Sequence, residues 1–153
     1  RGLSGCDTED EKALAHIVLS TLRGWANVNP DLVQVEEKSG QGEQSTFRVA
    51  AEGAEPLAVA LHKWTDLGMA DEIYQQRTSA AARLFADYGL APPRLAEGGD
   101  WYIEPWEGSG TPTLDTTERM EELGRLVAAV HALPIEWYDE WRERLRERMP
   151  ALR

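Results

Sequence analysis

The spacing of apolar and polar positions changes several times along this chain, and each change marks an element. Between Glu9 and Trp25, Leu14, Ile17, Val18 and Leu22 recur at three- and four-residue intervals, which predicts a helix with one face on a core. Thr8 with Glu11 forms a capping box at its start, and Gly24 followed by Asn29-Pro30 marks its end. The period then shortens. Leu32 to Glu37, Thr46 to Ala51 and Leu57 to Lys63 read as strands, separated by turn-rich breaks at Ser39 to Ser45 and Glu52 to Pro56. Strands with such short connections form an antiparallel meander. The second break, Glu52-Gly53-Ala54-Glu55, has the composition of a plain hairpin loop.

An alanine-rich helix is expected from about Ala70 to Tyr88, with Gly89 to stop it. Pro92-Pro93 leads into a hairpin of Arg94 to Glu97, the turn Gly98-Gly99-Asp100, and Trp101 to Glu104. Gly108 to Pro112 has linker composition. Beyond it, Asp115 with Glu118 caps a helix running to about Leu133, striped by Leu123, Leu126, Val127 and Val130. A last amphipathic helix, Glu136 to Met149, carries Trp137, Trp141 and Leu145 four residues apart, with arginine and glutamate on its other faces. The expected fold is α+β: a five-stranded antiparallel sheet with flanking helices, plus two C-terminal helices. Its expected divisions are a helical segment 1–30, a sheet-bearing lobe 31–107, and a linker with two helices over 108–153.

Composition narrows the partners. A net charge of -11 argues against nucleic acid and anionic membranes, both of which repel an acidic surface. It suits a soluble protein or one that docks on a basic partner. No apolar run approaches the length of a membrane span, so no membrane insertion is expected. Cys6 is the only cysteine, which rules out an internal disulfide and a cysteine-based metal site. No His/Asp/Glu cluster has metal-ligand spacing and no Gly-x-Ser-x-Gly elbow occurs. The chain opens on Arg1 rather than methionine, as after removal of a leader or in a partial sequence. The compartment therefore stays open between the cytoplasm and an organelle.

Three segments carry a resemblance. Trp101-Tyr102-Ile103-Glu104-Pro105-Trp106-Glu107-Gly108 resembles the hinge of choline/ethanolamine kinases and the related aminoglycoside-phosphotransferase group. Leu123 to Pro134, which closes on His131, resembles the helix those families place after the hinge. Gly89-Leu90-Ala91-Pro92-Pro93-Arg94-Leu95 resembles their turn after the second helix. The resemblance covers roughly Leu32 to Pro134 and is to the amino-terminal lobe of that kinase fold. It implies an ATP/Mg-dependent phosphotransfer to choline or ethanolamine in the whole protein. Such chemistry needs a phosphate cradle, a cation on the third strand, an acid to hold it, metal-binding carboxylates and a base.

On that resemblance, Gly40 and Gly42 stand in the cradle loop, where backbone N–H groups meet phosphate; the same residues also read as a polar hairpin turn. His62 falls at the cationic position, and Lys63 should face the opposite side unless a bulge intervenes. The plainer alternative makes His62 a half-buried strand residue and Lys63 a solvated one. The Glu104–Trp106 backbone, with Trp101 and Trp106 beside it, is where an adenine would sit; core packing explains the two tryptophans equally well. The acid is expected near Thr78 or Ser79, yet Tyr74 to Phe85 contains no Asp or Glu. The carboxylates and base belong to a large lobe, and none of His16, His62 and His131 is followed two residues later by Asp. The chain alone is therefore expected to have no catalytic or metal-binding residues of its own and to be inactive, at most a weak ATP-binding module. The alternative is a degenerate lobe serving as a structural or interaction subunit. Its partner would be another protein or the C-lobe, docking on Trp137, Trp141 and Leu145, unless that stripe folds back on its own domain.

Overall fold

Leu14, Ala15 and Val18 are buried, and they fix the first helix, α1 (Glu9–Thr21), against the sheet. The computed structural model describes residues 9–39, 44–64, 72–108 and 113–134. Thr8, the expected cap of α1, lies outside them. The helix ends four residues before the expected Trp25. The Ser20 hydroxyl donates to the His16 carbonyl at 2.7 Å, a local bond that competes with helix continuation. Arg23–Trp25 then form a tight 3-10 turn that delivers the fully buried Trp25 indole to the core.

The chain divides into two compact units, one of residues 1–72 with 92–108 and the other of 73–91 with 109–153. In the first, β1 (Gln34–Ser39), β2 (Gln44–Ala50), β3 (Ala58–Trp64), β4 (Ala96–Glu97) and β5 (Trp101–Pro105) form one antiparallel sheet in the order β1-β2-β3-β5-β4. The expected five strands are all present, with shifted ends. β1 starts at Gln34 rather than Leu32 because Pro30–Leu32 make a 3-10 turn, held by the Asp31 N–H donating to the Asn29 side chain at 3.1 Å. β4 is two residues rather than the expected four.

The second connection is more than a plain hairpin loop. Gly53 takes φ +80°, the Glu55–Pro56 peptide is cis, Ala54 is buried, and the Glu55 N–H donates to the Gly24 carbonyl at 3.2 Å. The loop is thus seated on the turn after α1. Strand alternation sorts the sheet's two faces. Val49, Val59, Leu61 and Ile103 point toward α1 and are fully buried with Val18, Trp25 and Val33. At about 1.5–3 kcal/mol per buried side chain, this layer is the main source of the unit's stability. Thr46, Arg48, His62, Tyr102 and Glu104 alternate with those residues and occupy the opposite face.

The second unit contains α2 (Glu72–Asp87), apart from its first residue, and α3 (Thr117–His131). Gly89 stops α2 as the sequence suggests. At φ +69° its N–H donates to the Ala86 carbonyl while the Leu90 N–H donates to Phe85, a Schellman closure that favours glycine. The cap of α3 is Thr116 rather than Asp115: the Thr116 hydroxyl accepts from the Arg119 N–H at 3.3 Å. Asp115 instead pairs with the Arg119 guanidinium at 2.7 Å. The last expected helix lies outside the described residues. Among the described residues no helix is long and apolar enough to cross a membrane.

Candidate functional site

The sheet face turned away from α1 gathers most of the chemistry. The β3–β5 register sets His62 beside Tyr102 and Ala60 beside Glu104, so Glu104 is the diagonal neighbour of His62. The β2–β3 register sets Thr46 on the other side of His62. The contacts follow from those registers. The Thr46 hydroxyl lies 3.0 Å from His62 Nδ1, and His62 Nε2 lies 3.4 Å from Glu104 Oε2. Turning the Nε2 proton to the carboxylate leaves Nδ1 to accept from the Thr46 hydroxyl. The side chains of His62 and Glu104 are 17% and 18% exposed, so water screens this pair only partly.

Tyr102 is the centre of the cluster. Its ring stacks on the His62 imidazole at 4.5 Å with planes 13° apart, and the Arg94 guanidinium lies 3.9 Å from its centroid. The Gln44 amide donates to its hydroxyl at 2.8 Å, and Trp64 tilts toward it at 6.4 Å. Further along the same face, the Arg48 guanidinium lies 6.0 Å from the Trp106 ring. The Trp106 N–H is itself spent on the Ala58 carbonyl at 3.2 Å.

Lys63 sits on the other face. The β2–β3 ladder runs unbroken from Ala58 to Trp64, and the irregularity in the sheet falls in β1, between Glu37 and Ser39. Lys63 therefore alternates away from His62. It borders a groove between α1 and the sheet, about 660 Å3 in volume, floored by Leu14, Ile17, Val35 and Phe47 and edged by Asp10, Glu37 and Asp100. It is half-buried there rather than solvated.

Of the residues singled out in the sequence, the fold brings His62, Glu104 and Trp106 onto one face and sets Lys63 on the reverse. Gly40, Gly42, Trp137, Trp141 and Leu145 lie outside the described residues. His131 ends α3, where a basic group complements the helix dipole. Sequence reasoning missed that Glu104 supplies a carboxylate to His62, having sought the acid only on α2, and it missed Thr46 and Arg94 as members of this cluster. The signal lay in register. Once β3 and β5 pair at His62 and Tyr102, a residue two positions beyond Tyr102 must fall diagonal to His62. Among the described residues no group of three His, Cys, Asp or Glu could hold a metal ion.

No protein-family model matches the chain, and no curated protein sequence matches it. Among solved structures it is similar to the choline kinase of Cryptosporidium parvum Iowa II, at 16% identity and a TM-score of 0.52. The likeness covers 66% of this chain and 27% of that one, so the chain spans little more than a quarter of that kinase's length. At such identity the likeness is one of fold, and that fold is a kinase-like small lobe.

Proposed function

We propose that this chain supplies the small lobe of a choline/ethanolamine-kinase-like protein and that, alone, it binds ATP weakly and transfers no phosphoryl group. The observation that carries this reading is the setting of His62. Both of its ring nitrogens face partners within the sheet, Thr46 at 3.0 Å and Glu104 at 3.4 Å, so the imidazole has little left to offer a phosphate. Lys63, the other candidate cation, faces the groove on the opposite side. The remaining nucleotide contacts would be the Gly40 and Gly42 loop and what the Glu104–Trp106 backbone leaves free once the Trp106 N–H is bonded to the Ala58 carbonyl. Magnesium would come with the nucleotide, and choline or ethanolamine would be recognised by parts of the protein beyond this lobe.

Titration calorimetry with Mg-ATP, paired with a thermal melt, tests the proposal. Stabilisation at a ligand concentration equal to Kd is only about 0.4 kcal/mol, so millimolar binding shifts the melt by roughly 1–2 °C at millimolar ATP. A Kd in the low micromolar range, or ATP turnover by the chain alone, would overturn it. A second reading, a degenerate lobe acting as a structural or interaction subunit, is favoured by the exposed apolar side chains of α3. It predicts no saturable ATP signal at all.

A further inference from the structure

The groove between α1 and the sheet lies wholly within the first unit, on the sheet face opposite His62. Its floor is apolar but not closed. Ile17, Val35 and Phe47 each pack one side on the core and remain only half-buried. A volume of about 660 Å3 is of the size that takes a bound ligand.

Charge decides what kind of ligand. Asp10 and Glu11 on α1, Glu37 on β1 and Asp100 in the turn before β5 line the groove, and Lys63 is the one cation among the residues lining it. The other bases on these elements are spent nearby, Lys12 on Glu9 and Lys38 on Glu36. Such a rim repels an anion. A purely apolar cover would strip water from the carboxylates and put nothing in its place. Carboxylates spread over a helix, an edge strand and a turn are met better by several basic side chains than by one compact cation.

The chain's own segments outside the described residues do not have that character. Arg1 is offset by Asp7 in residues 1–8, residues 40–43 and 65–71 carry only acids, and 109–112 carry no charge. Residues 135–153 hold equal numbers of arginines and acids, so none of these segments is net basic. We propose that the groove docks a basic amphipathic segment of another protein. Its apolar residues cover Ile17, Val35 and Phe47, and its lysine or arginine side chains reach the rim carboxylates. The net charge of -11 would steer such a partner toward the chain, and the groove gives it a place to settle.

Fluorescence anisotropy on the full chain tests this with a labelled peptide repeating Lys-Leu-Leu-Lys. The reference is a peptide repeating Lys-Ser-Ser-Lys, equal in length and charge. The leucine peptide should bind roughly tenfold tighter or more, because only it can cover the apolar floor. Glu37→Lys with Asp100→Lys should weaken it by roughly tenfold. Glu121→Lys with Glu122→Lys on α3 changes the net charge equally and should leave its affinity within about twofold. Lys63→Gln removes the opposing cation and should tighten binding. Amide chemical-shift changes, read on the parent chain and so independent of any variant's stability, should gather on α1, β1 and the turn at Asp100. Equal affinity for the two peptides, or an equal loss from the α3 reversals, would reduce the binding to long-range attraction and overturn the proposal. Shifts that gather elsewhere would overturn it too, as would a full chain that binds neither peptide.

Discussion

Gly24→Ala is the sharpest test of how the first unit holds together, because its cost follows from one close approach. A Cβ at Gly24 would lie 2.1 Å from the Glu55 carbonyl oxygen and 3.0 Å from its carbon. Non-bonded carbons settle near ~3.5 Å, so the Glu55 backbone would have to retreat by roughly 1 Å. It is not free to do so. The Glu55 N–H donates back to the Gly24 carbonyl at 3.2 Å, and its neighbour Ala54 is buried in the core. Retreat sacrifices that hydrogen bond, about 1 kcal/mol, and disturbs packing around Ala54 by about 1–3 kcal/mol. Against this stands a gain of about 0.4–1 kcal/mol from the stiffer unfolded chain. The net expectation is a loss of about 1–3 kcal/mol, read as a lower urea midpoint with unchanged slope and a melt lowered by roughly 3–10 °C. Fluorescence suits the assay, since the fully buried Trp25 sits next to the substitution. Gly99→Ala, where a Cβ meets nothing within 4 Å, should stay within about 0.5 kcal/mol of the parent. A Gly24→Ala protein as stable as the parent would show that the loop does not seat on this turn.

The other expectations concern the core and the His62 face. Leu61→Ala, at a fully buried position in the central strand, should lose about 2–5 kcal/mol by urea denaturation. Thr46→Val keeps the shape but leaves His62 Nδ1 without its hydroxyl partner, a loss of about 1–2 kcal/mol that Thr46→Ser should largely restore. Glu104→Gln removes a carboxylate from the face where phosphates would approach. Calorimetry should therefore find Mg-ATP binding several-fold tighter than in the parent if this face takes the nucleotide, and unchanged if it does not.

What the sequence made legible was whatever repeats. The apolar residues of α1 and the alternation of β2 and β3 announce themselves through spacing, and Gly89 marks the end of α2 by a local rule. The ends of elements were less legible, because they depend on single local bonds: Ser20 back to His16, Asn29 to Asp31, Thr116 to Arg119. The candidate site was the least legible part. His62 could be found by analogy of position, and its face could be deduced from alternation. Its partners could not, since Thr46 and Glu104 lie 16 positions before it and 42 after it, and only the pairing register makes them neighbours. Gly24 shows the same limit. It reads as a helix stop, but its value is the space it leaves for a carbonyl 31 residues further along.

The source of the acid beside His62 changes what this face can do. In a kinase the strand cation is held by a carboxylate from a helix, so the pair exists only when the helix is correctly placed, and regulation acts through that placement. Here the carboxylate comes from β5, the strand that pairs with β3 at His62 and Tyr102. The ladder holds the two backbones adjacent, so the pair parts only by side-chain rotation and not by movement of a helix. The stack of His62 on Tyr102, with Arg94 close to the same ring and Gln44 on the tyrosine hydroxyl, adds bonds that would all have to break together. The arrangement is therefore a brace rather than a switch. It gives the sheet a polar face held by several contacts at once. A substitution that removes the charge beside His62, such as Glu104→Gln, should then alter affinity for an anion on this face without creating dependence on any helix movement.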